Sequence, residues 1–209
     1  METVKTPSEQ RTVLHNISWK TYEHLLADHD NNSAPRFTYD RGELEIMSPS
    51  PEHEAYNRSL ALLVEFLAAE LSIDVYDLGS TTFRREDLGR GFEPDSCFYI
   101  QNENQIRGKD RIDLSVDPPP DLVIEIDITS PSFSKLPIYA QIGVPEVWRY
   151  DGKRLKILVL EGSDYAETSE STALPPVTSN ALTDFVEKSK TTKRTVWLKK
   201  VRDWARERS

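Results

Sequence analysis

Residues 118–132, PPPDLVIEIDITSPS, hold the pattern that most restricts how this chain can fold. Leu122, Ile124, Ile126 and Ile128 alternate with Asp121, Val123, Glu125 and Asp127. Strand side chains point to opposite faces with period two. The first set therefore reads as a core face, and the second carries a row of carboxylates. An unpaired buried carboxylate is strongly penalised. Four arrangements satisfy the row: a solvent-facing side of an edge strand, salt bridges to Lys or Arg, a hydrogen-bonded structural site, or oxygen ligands for a hard cation such as magnesium.

The surrounding pattern predicts a mixed fold. ISWKTYEHLLADH (17–29) reads as a short helix capped by Ser18, and RFTYDRGELEIMS (36–48) as a hairpin turning at Asp40-Arg41-Gly42. A long helix follows, with Ser50 as cap, Pro51 in its first turn, and Tyr56, Leu60, Leu63, Val64, Leu67 and Leu71 as an apolar stripe. VYDLGSTTFRRE and FEPDSCFYI read as strands, and NENQIRGKDRIDLSVDPPP as a polar loop. SKLPIYAQIG predicts a short helix stopping at Gly143, and VPEVWRYDGKRLKILVLEG a hairpin turned at Asp151-Gly152. DYAETSESTALPPVTS is turn-rich, and helical patterns resume at ALTDFVEK and RTVWLKKVRDWARE. The expectation is an α/β (α+β) chain: a mixed central sheet flanked by helices, with an N-terminal hairpin and C-terminal helices. Residues 1–16 are expected to be flexible and 17–209 to form one domain.

Length and charge narrow the function. The chain has 209 residues, enough for a sizeable core, and no apolar run long enough to span a membrane. Its polar start lacks a signal core, which predicts a cytoplasmic protein. Cys97 is alone, so no internal disulfide and no Cys/His zinc set is expected. The net charge is −9, yet residues 186–209 hold nine Lys or Arg and three acids. That tail reads as a docked amphipathic helix with Val196, Trp197, Val201 and Trp204 as its stripe, or as a local phosphate-binding face.

Asp95 follows Pro94 in GFEPDSCFYI, thirty positions before Glu125, where adjacent strands would bring the two carboxylates to a common metal. Lys135 stands at the start of the short helix, where the helix macrodipole disfavours a cation and an acidic partner is wanted. Taken singly, Asp95 reads as a turn residue and Lys135 as a solvated one.

Together Asp95, Glu125 and Lys135 look like the constellation PD-(D/E)-x-K. GELEIMSPSPEHE, EPDSCFYI, PPDLVIEIDITSPS and KLPIYAQIGVPEVWRYD resemble, in order and spacing, a large family of bacterial proteins classed with the restriction endonucleases, in the restriction-endonuclease-like superfamily. The position two residues after Glu125, where that pattern has lysine, holds Asp127. The resemblance implies that the lysine has moved to Lys135, a workable shift for a long, flexible side chain.

It further implies a nuclease that hydrolyses phosphodiester bonds, most simply in DNA. Mg²⁺ (or Mn²⁺) would be held by Asp95, Glu125 and the backbone carbonyl of Ile126, with Lys135 orienting water or stabilising charge on phosphorus. Asp127 would bind a second metal or pair with Lys135. His53 and Glu52, in SPSPEHE, would approach from the long helix. Their plain readings are a hydrogen-bonded core histidine and an acid favouring the helix dipole. Arg84, Arg85 and Arg90 are candidates for the nucleic-acid backbone, or for a charged strand edge. A homodimer is expected if both strands are cut, with Trp148, Trp197 and Trp204 as candidate contacts. The competing expectation, favoured by the acidic charge and the missing strand lysine, is a catalytically inactive nuclease-fold module for binding or assembly. A metal-dependent hydrolase of another phosphoester is a third.

Overall fold

The computed structural model describes residues 9–29, 34–129 and 133–208. The chain builds two sheets. The first contains β1 (Gln10–Leu14), β2 (Arg36–Asp40), β3 (Glu43–Ser48), β5 (Phe83–Arg85) and β6 (Arg90–Phe92), in the order β1-β3-β2-β6-β5. The second contains β4 (Tyr76–Gly79), β7 (Ser96–Tyr99), β8 (Leu122–Ile126), β9 (Glu146–Tyr150), β10 (Leu155–Glu161) and β11 (Asp164–Thr168), in the order β11-β10-β9-β8-β7-β4. The helices are α1 (Trp19–Asp28), α2 (Pro51–Glu70), the single turn α3 (Glu103–Ile106), α4 (Leu136–Ile142), α5 (Ser179–Ser189) and α6 (Arg194–Arg206).

The expected mixed sheet is the six-stranded one: β8 and β9 run parallel with α4 as the crossover, and its other pairs are antiparallel. The expected hairpin is β2–β3, and it sits inside a five-stranded sheet. Within the segment expected to be flexible, QRTVL pairs along its whole length with β3, Gln10 opposite Ser48 and Leu14 opposite Leu44. The alternation of Arg11 and Val13 with more exposed neighbours suits an edge strand. Residues 1–8 of that segment lie outside the described residues.

Local chemistry sets the boundaries. Ser18 Oγ accepts from Thr21 N at 3.2 Å, and Ser50 Oγ from His53 N at 3.1 Å, so both helices start where a cap relieves an orphan N–H. Gly143 ends α4 at φ 88°, a conformation that favours glycine.

Two expected strands are each cut in two by a change of sheet. FEPDSCFYI is β6 and then β7, broken at Glu93-Pro94-Asp95, because Pro94 has no N–H to continue a ladder. VYDLGSTTFRRE splits into β4 and β5, one in each sheet. Asp95 therefore stands where the chain passes from the first sheet to the second. β11 pairs with β10 inside the segment read as turns, and α3 lies inside the expected polar loop.

Three apolar clusters hold these layers. On one face of the six-stranded sheet, Leu122, Ile124, Ile126, Trp148 and Tyr150 pack with Leu60, Leu63 and Val64 of α2 and with Trp197 and Val201 of α6. On the other, Val123, Cys97, Tyr99 and Val147 meet Ile138 and Tyr139 of α4 and Phe83 and Phe92 of the first sheet. Tyr22 of α1 packs on Phe37, Tyr39 and Leu44.

Burying a large apolar side chain stabilises by roughly 1.5–3 kcal/mol, which outweighs any contact value for the tryptophans. Trp148 and Trp197 are fully buried, and Trp204 packs edge-on against Phe185. Trp148 and Trp197 are core residues and Trp204 is half-buried against the core, so none is the exposed contact expected for a dimer. The basic tail docks: Arg202 and Arg206 reach Glu70 at 2.7 and 3.3 Å. No described helix is long and apolar enough to cross a membrane.

Candidate active site

β7 and β8 pair antiparallel with Ser96 opposite Ile124. One step along that register, Asp95 falls opposite Glu125, and directly opposed residues share a sheet face. The face is the one carrying Val123 and Cys97, so the two carboxylates turn toward α4 and away from the Leu122–Ile124–Ile126 core. Asp95 is 1% exposed and Glu125 6%.

Each carboxylate is met by specific groups. Asp95 Oδ2 accepts from Ile126 N at 2.7 Å, and Asp95 Oδ1 pairs with Arg36 Nη1. Arg36 Nη2 also donates to Glu54 Oε1 at 2.6 Å. Glu125 Oε2 accepts from Lys135 Nζ at 2.9 Å, and Oε1 accepts from the hydroxyl of Tyr139. Lys135 adds a bond to the Glu93 carbonyl at 3.3 Å. Pro94 thus joins a residue whose carbonyl holds Lys135 to a residue whose carboxylate faces Glu125.

The electrostatics divide the pair. Burial pushes the Glu125 carboxyl up to about 7, with the charges of Asp95 and Asp127 adding to the rise and Lys135 opposing it. Burial raises Asp95 as well, but His53, Arg36 and Lys135 outweigh it and hold its carboxyl below the ordinary carboxylate range. Burial lowers Lys135, yet Glu125 and Asp95 outweigh that and keep it charged. The Tyr139 phenol is raised well above its usual range by burial and by Glu125, so it remains a donor.

His53 is fully buried, with Nε2 3.2 Å from Asp95 Oδ2 and 3.8 Å from Glu9 Oε2. Among the described residues neither ring nitrogen meets a hydrogen-bond partner, and buried Glu9 Oε2 meets none either. Glu9 and Arg11, at the start of β1, close the far side of the cluster. Arg11 pairs with Glu9 at 2.6 Å, Glu45 at 3.3 Å and Asp127 at 3.7 Å.

The fold thus brings together Asp95, Glu125, Lys135 and His53, and leaves other expected residues apart. Asp127 shares the neighbourhood but pairs with Arg149 at 2.5 Å and with Arg11, and does not pair with Lys135. The cause is the parallel register, which puts Arg149 beside Glu125 on β9. Glu52 faces solvent and accepts from Tyr56 Oη at 3.0 Å, while Glu54 is the α2 acid that turns inward.

Arg90 is 4% exposed, bonded to Asp40 at 2.9 Å and the Pro137 carbonyl at 2.7 Å. It lies on β6, between β2 and β5, and these two bonds tie it to the first sheet and to the start of α4. Arg84 and Arg85 line a groove of about 950 Å³, but Glu86, Asp87, Asp110 and Asp113 line it too, and Arg85 is held by Asp87 at 2.7 Å. Asp121 has a structural part: its carboxylate accepts from Ile100 N at 2.7 Å and Asn102 N at 2.9 Å.

Arg36, Tyr139, Glu54, Glu45, Glu9 and Arg11 are the site residues the sequence reading missed. Glu45, Glu54 and Tyr139 lie inside motifs quoted for the resemblance, and the alternation of QRTVL is the one local signal for β1.

Among the described residues no three His, Cys, Asp or Glu side chains are grouped so as to hold a metal ion. The donor chemistry here is two opposed carboxylates, Asp95 and Glu125. Hard divalent cations take oxygen ligands of this kind. The crowding that lifts Glu125 and the unpartnered Glu9 oxygen both mark a place where a cation would relieve charge.

An α+β architecture with acids and a lysine converging where two sheets join is the class these features define. The chain belongs to the family described as "Putative restriction endonuclease" (Uma2), whose model matches residues 19–188. β1, with Arg11, precedes the matched region. No curated protein matches the chain. Among solved structures it is similar to a protein described as a putative nuclease belonging to DUF820 from Anabaena variabilis ATCC 29413. The two share 16% identity with a TM-score of 0.49, over 87% of this chain and 99% of that one.

Proposed function

We propose that this protein is a magnesium- or manganese-dependent nuclease that hydrolyses phosphodiester bonds in DNA. The observation that carries the reading is the meeting of Asp95, Glu125 and Lys135, drawn from separate parts of the chain, at the junction of the two sheets. Family membership supports a nucleic-acid substrate.

In this reading Asp95, Glu125 and the Ile126 carbonyl would hold the cation. A bound divalent ion supplies Lewis acidity toward the phosphate and lowers the pKa of water. The residues of the chain do the rest. Lys135, kept charged by its acidic neighbours, would offset negative charge on the phosphate as water attacks phosphorus and gives its proton to solvent, while the P–O bond to the leaving oxygen breaks and that oxygen takes a proton from solvent. Tyr139 and Lys135 fix one oxygen each of Glu125, so its carboxylate does not rotate away. Arg36 and the Ile126 N–H fix Asp95 in the same way. Cleavage of both strands by one such site calls for two copies, so a homodimer on DNA belongs to the proposal.

A second reading, a non-catalytic binding or assembly module, draws on a specific observation: Arg36 and Lys135 already neutralise the two carboxylates. Supercoiled plasmid separates the two. The nuclease reading expects nicking with magnesium or manganese, none with chelator, and none from Asp95→Ala or Glu125→Ala. Binding of plasmid without nicking under any metal would favour the module.

A further inference from the structure

Asp95 also lines a cavity of about 390 Å³ between the start of α2 and the connection from β4 to β5. That volume lies in the usual small-ligand range. On the opposite side of the cluster, Glu125 and Lys135 line a space of only about 20 Å³, which Arg11 helps to close. The room for an incoming group is therefore on the Asp95 side.

Arg36, Glu54, Arg58 and Ser80 line the same cavity. Glu54 and Arg58 are one helical turn apart, at i and i+4, where such a pair ordinarily meets. Here Glu54 turns inward to Arg36 at 2.6 Å. Arg58 is exposed and makes no hydrogen bond or ion pair among the described residues. Arg36 is 5% exposed, and its Nε has no hydrogen-bond partner. In a chain of net charge −9, an arginine without a partner among the described residues lines a cavity that Arg36 and Asp95 also line. A planar guanidinium with free donors is the group best matched to phosphate oxygens.

We infer that this cavity seats a backbone phosphate of the nucleic acid next to the one that is cleaved, and that Arg58 grips it. The inference rests on the nuclease reading and names how its substrate is held. Arg58 is a substrate-binding residue: it holds the strand with the neighbouring phosphate on the Asp95 side of the cluster.

The test is fluorescence anisotropy of the full chain with a labelled DNA duplex of about 20 base pairs in chelator, so that no hydrolysis intervenes, repeated over a range of salt. Arg58→Ala should weaken binding about tenfold and reduce the slope of log affinity against log salt by about one, the loss of one phosphate contact. Arg58→Lys should restore most of both. With magnesium, Arg58→Ala should raise KM for plasmid nicking and leave kcat nearly unchanged. Affinity and salt slope unchanged in Arg58→Ala, with Asp95-dependent nicking intact, would overturn the phosphate seat and leave the nuclease reading standing. Absence of both DNA binding and Asp95-dependent nicking in the unmodified protein would overturn both.

Discussion

Lys135, at the N-cap of α4, places its Nζ 2.9 Å from Glu125 Oε2, ten residues earlier on β8. A cation at a helix start is disfavoured by the macrodipole, so the pair compensates a position that would otherwise cost stability. Replacing Lys135 by Met keeps the apolar stem and removes the charge. Plasmid nicking should fall by at least about a hundredfold, in line with loss of one electrostatic contact to a developing charge. Lys135→Arg should recover only part, because the guanidinium fork cannot reproduce a point charge there. Nicking by Lys135→Met at the unmodified rate would remove Lys135 from the chemistry.

Glu125 supplies a pH signature that needs no metal. Its folded-state pKa, pushed up to about 7 by burial, lies above the ordinary carboxylate value. The folded state therefore holds this proton more tightly than the unfolded chain. The resulting stabilisation is complete below the ordinary value and is lost as pH rises through about 7. Glu125→Gln lacks this titration. Urea midpoints of the two proteins should diverge between about pH 5 and 8 in favour of the variant, whatever constant offset the unpaired Lys135 adds. Parallel curves would show that Glu125 ionises normally.

Gly91 tests the packing of α1 on the first sheet. A Cβ on Gly91 would lie 2.2 Å from Tyr22 Oη. Tyr22 cannot retreat: it is fully buried and stacked on Tyr39 with ring centroids 5.0 Å apart. Gly91→Ala should destabilise the fold by about 1–3 kcal/mol, the usual range for overpacking. Thermal denaturation reads this directly, and a variant as stable as the parent would contradict the placement of Tyr22.

What could be read from sequence follows from the range of the interactions. The caps Ser18 and Ser50, the α2 stripe, the stop at Gly143 and the two-faced β8 are set by residues within a few positions of one another. Asp95 and Glu125 were singled out by local patterns, a proline at a strand start and a carboxylate row, and were joined into one site only with the resemblance.

The rest depends on how the sheets meet. Nothing near Arg36 in the chain announces that it will pair with Asp95, 59 residues away. Arg90 looked available because its strand was read without partners, and β2 and β5 bury it. Glu9 and Arg11 lay in a segment set aside as flexible, yet their side chains close the site. Asp127 stands where a lysine was expected and finds its cation, Arg149, on the neighbouring parallel strand.

The central claim is that Asp95 and Glu125 act together in metal-dependent cleavage of DNA. The most direct measurement is the rate at which supercoiled plasmid is nicked in magnesium by the unmodified protein and by Asp95→Asn, purified side by side. The account expects magnesium-dependent nicking by the first and none above background by the second. Equal nicking by both proteins, or no nicking by either with any divalent cation, would contradict it.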